Sequence, residues 1–229
     1  MNRSILSLAV CGLLLAGTPR AAELKTLDQR YSYVLGVRMA RMLKAEGIGR
    51  LDGAAFGEAV ADVINGNPLK LSEDEMSEVL KERTQKNREE ARRKAEEALA
   101  RSRRFLAENA KKPGIRQLPG GVQYQVIRPG KGTPPTMDDK VKVHYEGRTI
   151  DGRKFDSSRD RGQPAVFALR GVIKGFAQAL THMKPGARWK VFIPPELAYG
   201  RRGAGGLIGP NEALVFDLEL LEVIPRNGN

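Results

Sequence analysis

The chain has 229 residues, 41% hydrophobic and 29% charged, a balance that suits one large or two small soluble domains and excludes a disordered or wholly membrane-embedded protein. Lys and Arg outnumber Asp and Glu by 39 to 27, a net charge of +12, but the basic residues are interleaved with Glu, which reads as a solvated face and not as a nucleic-acid interface. One cysteine and two histidines exclude a disulfide framework and a thiolate- or histidine-rich metal site, so no metal or other cofactor is expected.

In chain order, Arg3 precedes an apolar run from Leu8 to Leu15, followed by small residues up to Ala21 and Ala22. This is the layout of a signal peptide over residues 1–22, too short to span a bilayer, which takes about 20 apolar residues. The cysteine, Cys11, falls inside it after Val10, where a lipoprotein signal requires a small residue. The mature chain is therefore expected to carry no cysteine, no transmembrane segment and no thiol nucleophile.

Thr26-Leu27-Asp28-Gln29 is a capping box and predicts a helix start. Tyr31, Val34, Leu35, Met39, Met42 and Leu43 recur at helical spacing until Gly47. A second helix is predicted from about Asp52 to Ile64, ending at Asn65-Gly66-Asn67-Pro68. A third opens at Ser72-Glu73-Asp74-Glu75 and meets no Gly or Pro before Pro113. Its span from Lys81 to Lys94 carries no large apolar residue, so it reads as a solvated stalk. Pairs at Glu82/Lys86, Glu89/Arg93, Glu90/Lys94 and Glu97/Arg101 are expected to support it, with Leu99, Phe105 and Leu106 docking its far end. Two short amphipathic helices bury little by themselves. A homodimerisation domain over residues 23–80, followed by a stalk helix over 72–112, is the expected organisation; a monomeric cap folded onto the rest is the alternative.

After Pro113-Gly114 the period changes. Residues 122–126, 141–145, 189–193 and 214–220 alternate apolar and polar as half-buried strands do, and Gly171 to Leu180 reads as a short helix. The fold class is α+β: an antiparallel sheet with one helix across it in a domain over 113–229, preceded by the all-α part. Trp189 is read as sheet core.

Five motifs then fall in order over about a hundred residues. They are Val143-His144-Tyr145-Glu146-Gly147, the run from Asp151 to Ser158, Val172-Ile173-Lys174-Gly175-Phe176, Leu197-Ala198-Tyr199-Gly200 and Leu214-Val215-Phe216-Asp217. This series resembles the FKBP-type peptidyl-prolyl cis/trans isomerases. The upstream half, with Tyr33-x-x-Gly36 and Phe105-Leu106-x-Glu108-Asn109, is similar to the macrophage infectivity potentiator (Mip-like) branch. The resemblance implies a rotamase acting on proline-containing unfolded or folding proteins, and a homodimer joined through the N-terminal helices. It also implies inhibition by macrolides of the rapamycin and tacrolimus type. The location implied is the periplasm, the outer membrane or the exterior of a Gram-negative bacterium.

The implied reaction is rotation about an X-Pro amide across a barrier of roughly 18–20 kcal/mol. Amide resonance places negative charge on oxygen and water favours that form, so an apolar pocket eases twisting by withholding water. Carried over motif by motif, the catalytic set is Tyr145, Phe155, Asp156, Tyr199 and Phe216. The substrate-binding set is Arg161, Val172, Ile173, Phe176, Leu207 and Ile208. Phe155, Phe176 and Phe216 would wall the proline ring, whereas ordinary core packing is the reading for each Phe taken alone. Tyr199 would donate to a substrate carbonyl and the Ile173 N–H to a neighbouring one. Asp156 would be held by Arg161 and Tyr145, since an unpaired charge beside an apolar cavity is costly; a surface pair with Arg159 or Arg161 is the plainer alternative. Phe176 stands where many relatives have Trp, and Ala165 and Ala204 stand where they carry an aromatic and a His, which bears on macrolide affinity and on the residue preferred before proline. Gly200 to Pro210 is expected to form a mobile, basic flap. The rival readings are a non-enzymatic holdase or adhesin, which would not need the Tyr145, Phe155, Asp156, Tyr199 and Phe216 set, and an envelope scaffold built on the basic stalk.

Overall fold

The computed structural model describes residues 23–226; the expected signal segment 1–22, with Cys11, lies outside the described residues. The chain divides into two compact units, Met1–Ser72 and Glu73–Asn229.

In the first unit, α1 spans Leu27–Ala45 and α2 spans Gly53–Asn65. The capping box forms as the sequence predicts. Thr26 Oγ1 accepts from the Gln29 N–H at 3.2 Å, and Gln29 Oε1 accepts from the Thr26 N–H at 3.2 Å. Asp52 Oδ1 caps α2 by accepting from the Ala54 and Ala55 N–H groups, each at 3.0 Å, and Gly66 ends it in the left-handed region at φ 70°. No residue of either helix is buried. Tyr31 is 61% exposed and Val63 66%, so the apolar stripes occupy their predicted positions and stay largely open, with Leu43 and Phe56 half-buried.

The second unit opens with α3, Glu73–Asn109, a rod of about 55 Å at 1.5 Å per residue. Lys81 to Lys94 is exposed throughout, as expected of a stalk. Two of the four expected ion pairs form, Glu82–Lys86 at 2.6 Å and Glu90–Lys94 at 2.7 Å. Glu89/Arg93 and Glu97/Arg101 do not. Arg93 lies one turn from both Glu89 and Glu97 and takes Glu97 at 2.8 Å, while Arg92 approaches Glu96 at 3.7 Å; pairs worth about 0.2–0.5 kcal/mol each exchange partners at little cost. Ala98, Ser102, Leu106 and Asn109 form a buried stripe at the far end. Leu106 packs with Phe192 and Ala213, flanked by Phe105, Ile115, Ile150 and Val215.

The sheet has seven strands: β1 Ile115–Gln117, β2 Gln123–Arg128, β3 Lys140–Thr149, β4 Lys154–Ser157, β5 Ala165–Ala168, β6 Arg188–Ile193 and β7 Leu214–Ile224. The order is β1-β2-β6-β7-β3-β4, with β5 pairing the start of β3, and every pairing is antiparallel. Strands β2, β3, β6 and β7 lie at the four predicted sites; β1, β4 and β5 add to them. The short helix α4 spans Lys174–Leu180 and starts later than Gly171, because Leu169–Gly171 makes a 3-10 turn and Val172 is extended at φ −106°. α4 lies against β6 so closely that a methyl group at Gly175 would overlap Ile193. Its Phe176, Ala177 and Leu180 join Val141, Val143, Val191, Leu214, Phe216 and Leu218 in the main core, and Trp189 stacks on Tyr124 at 4.2 Å. One face of the sheet thus meets α4 and the other meets the end of α3.

Candidate active site

β3 carries alternate residues inward, which places Tyr145 and Gly147 on the α4 face. On the paired strands, Phe216 of β7 lies beside Gly147, and Asp156 of β4 faces Gly147 from the other side. A Cβ at Gly147 would stand 2.5 Å from Phe155 Cζ and 2.8 Å from Phe216 Cε1, so the absent side chain is what lets both rings close over the strand. Phe155 and Phe216 meet edge to face with centroids 5.7 Å apart, and Phe176 of α4 meets Phe216 at 5.1 Å. Tyr145 closes the row against Phe176 at 6.0 Å. These separations and tilts are those of favourable aromatic pairs. Phe176 and Phe216 are buried, Phe155, Val172 and Ile173 are half-buried, Ile208 is buried, and Tyr199 and Leu207 are exposed.

Beside this floor sits the Asp156 carboxylate. Asp156 accepts from the Tyr145 hydroxyl through Oδ2 and from Arg161 Nη1 through Oδ1 at 2.5 Å. Arg161 Nη2 also donates to the Tyr145 oxygen at 2.9 Å, and its guanidinium lies over the Tyr145 ring at 5.6 Å. Burial pushes the Asp156 carboxyl up, but the hydrogen bonds from Tyr145 and Arg161 outweigh it and hold the group below the ordinary carboxylate range. Burial, then the bond to Asp156, push the Tyr145 phenol up. Both groups therefore stay in the forms that bond to each other, a neutral phenol and an ionised carboxylate. Of the two expected surface partners, Arg159 turns to Glu219 at 2.9 Å, while the Arg161–Asp156 pair forms with side chains 48% and 42% exposed.

Tyr199 follows the 3-10 turn Pro195–Leu197, and its hydroxyl meets no protein partner among the described residues. The Ile173 N–H likewise donates to no protein acceptor among the described residues, while its carbonyl accepts from the Phe176 and Ala177 N–H groups at 3.0 and 3.1 Å. The loop from Gly200 to Pro210 is closed by two bonds between Ala204 and Ile208, at 2.9 and 3.0 Å, which hold Ile208 in and present Leu207 outward.

The sequence resembles known proteins in both halves. Residues 131–221 match the family described as FKBP-type peptidyl-prolyl cis-trans isomerase, and residues 28–126 match the domain amino terminal to it. The peptidyl-prolyl cis-trans isomerase Mip of Coxiella burnetii is 44% identical over 97% of this chain and 99% of its own. The chain belongs to the FKBP-type peptidyl-prolyl cis-trans isomerases. Another relative of this isomerase is the outer membrane protein MIP of Legionella longbeachae, 38% identical over 97% of this chain and 98% of that protein. The crystal structure of FkpA from Escherichia coli superposes with a TM-score of 0.71 at 36% identity, covering 89% of this chain and 99% of that one.

Three residues of this FKBP-type isomerase escaped the sequence reading as parts of the site. Phe167 of β5 packs against Tyr145 at 5.6 Å and Phe176 at 6.1 Å; its signal was a four-residue strand too short to show alternation. Ser158 is fully buried and clamps Tyr145, its Oγ accepting from the Tyr145 N–H at 2.9 Å and its N–H donating to the Tyr145 carbonyl at 3.0 Å. Gly147 stood inside a recognised motif, but only the two rings above it reveal why a side chain is excluded there.

Proposed function

We propose that Phe155, Phe176 and Phe216 seat the substrate proline ring, and that the mature isomerase works as a homodimer on proteins folding in the envelope of a Gram-negative bacterium. The observation that carries the site assignment is an aromatic floor of Phe155, Phe176 and Phe216 with an ionised carboxylate at its edge held by Tyr145 and Arg161. Over that floor the amide loses water, which stabilises its planar, charge-separated form more than its twisted form. The barrier then falls without any covalent step. The Tyr199 hydroxyl and the Ile173 N–H hold substrate carbonyls on either side of the rotating bond. Asp156 is tied down by Tyr145 and Arg161, so that its charge shapes the field at the pocket without a desolvation cost left unmet. Arg161, Val172, Leu207 and Ile208 line the approach, and macrolides of the rapamycin and tacrolimus type compete for the same surface.

Dimerisation through residues 23–80 is supported by the open apolar stripes of α1 and α2, since helices of that length are marginal in water without tertiary burial. Residues 1–22 direct export, 72–112 form the stalk and 113–229 the catalytic domain. The envelope assignment draws on the signal-peptide layout and on an outer membrane relative.

The test is isomerisation of a short X-Pro peptide by the chain lacking residues 1–22, beside Asp156→Ala and Tyr199→Phe, with sedimentation on the same samples. Expected are a dimer, catalysis well above buffer, a loss of at least tenfold in kcat/KM for Asp156→Ala with unchanged circular dichroism, and a smaller loss for Tyr199→Phe. Rates for all three proteins no faster than buffer would favour the holdase reading, and a monomer at micromolar concentration would remove the dimer.

A further inference from the structure

On the sheet face turned away from the aromatic floor, a cleft of about 350 Å³ opens where the Pro113 turn leaves α3. Its apolar surface includes Phe105, Phe192 and Ile150, and its rim carries Lys112, Lys190 and Arg148 but no carboxylate. The two rings lie 6.1 Å apart at an interplanar angle of 50°. Lys112 Nζ sits 6.0 Å from the Phe105 centroid and Lys190 Nζ 5.9 Å from that of Phe192, so each ammonium is held over a ring at the cleft edge.

Other basic residues of this face, Arg148 on the rim included, have carboxylate partners. Arg188 grips Asp217 with bonds of 2.9 and 2.8 Å, Arg128 and Arg159 both reach Glu219, and Arg148 pairs with Glu146 at 2.7 Å. Lys112 and Lys190 differ: neither ammonium has a carboxylate within 4.0 Å among the described residues. A concave, aromatic-lined cleft flanked by two cations without carboxylate partners complements a ligand that combines an apolar side chain with negative charge.

We infer that this cleft is a second polypeptide-binding site, which takes a stretch of unfolded chain where an aromatic or aliphatic side chain lies beside Asp or Glu. Alternation along β3, β6 and β7 sets the cleft on the opposite side of the strands from the proline floor. The site therefore acts independently of proline and would hold a client near the catalytic surface, raising its local concentration there. A concave recess that admits one side chain favours a peptide over a lipid surface, which needs a protruding or flat apolar face.

The experiment measures fluorescence anisotropy of rhodamine-labelled, proline-free peptides on the full mature chain. Three sequences are compared: Gly-Asp-Phe-Asp-Gly, Gly-Lys-Phe-Lys-Gly and Gly-Asp-Gly-Asp-Gly. The first is expected to bind tightest by at least fivefold. The double substitution Lys112→Glu with Lys190→Glu, at two exposed positions outside the catalytic set, is expected to weaken it at least tenfold while isomerisation of a short X-Pro peptide stays within twofold of wild type. The inference is overturned if the three peptides bind alike, or if the double variant binds the first peptide as the wild type does. It is equally overturned if the lysines recruit phosphatidylglycerol vesicles but no peptide, or if their substitution changes only the sedimentation of the chain, which would make the cleft a contact between copies.

Discussion

At Gly147 the backbone of β3 runs beneath two rings, and the space a Cβ would need is already filled by Phe155 and Phe216. Inserting a methyl into such a contact forces rings off their rotamers at a typical cost of about 1–3 kcal/mol. Gly147→Ala is therefore expected to lower the denaturation midpoint modestly and kcat/KM by more than tenfold, because the displaced rings are those proposed to seat proline. A variant that lost stability but kept wild-type kinetics would separate the rings from the chemistry. Tyr145, Phe155, Asp156, Phe176 and Phe216 stand out by the order of their motifs, and the structure groups these five side chains around Gly147. Ser158 and Phe167 were not singled out, since a buried serine clamp and one ring on a short strand have no periodic pattern to betray them.

The far end of α3 is tied to the loop that borders the proposed pocket. Ser102 Oγ donates to the Asn211 carbonyl at 2.9 Å and accepts from the Ala213 N–H at 2.9 Å, and Asn211 Nδ2 donates to the Ala95 carbonyl at 3.0 Å. Asn211 sits in the left-handed region at φ 56°, and its N–H closes the loop on the Gly200 carbonyl at 2.8 Å. The stalk thus anchors the base of the segment carrying Leu207 and Ile208. Ser102→Ala strands the buried Ala213 N–H and is expected to cost about 1–3 kcal/mol in chemical denaturation. Amide exchange at Ala204 and Ile208 should quicken alongside. An unchanged midpoint with unchanged exchange would show that the hydroxyl is not what fastens the loop. Phe105 and Leu106 announced that this end of the helix docks. Three of the four residues in the stripe Ala98-Ser102-Leu106-Asn109 are small or polar, so hydrophobic periodicity does not reveal it. The same limit hid β1, β4 and β5, three or four residues each, whereas the longer β3 and β7 were plain from their alternation.

For the whole molecule, the two units rest on different physics. The sheet unit buries its own core, with Val141, Val143, Leu214 and Leu218 fully enclosed. The helices of the first unit bury none of their residues in the described chain, which is why a second copy is the proposed cover and why their boundaries were nonetheless clear from caps and glycines. Membership of the FKBP-type isomerases gives the reaction, and the aromatic floor is the part of this chain proposed to perform it. That claim is tested most directly by exchange NMR on a short X-Pro peptide bound to the mature chain, comparing wild type with Phe216→Leu. Bound cis and trans forms are expected to interconvert at least a thousandfold faster than in free solution, and Phe216→Leu is expected to slow this step more than tenfold while affinity changes only a few fold. Binding of the peptide with interconversion no faster than in water would contradict it.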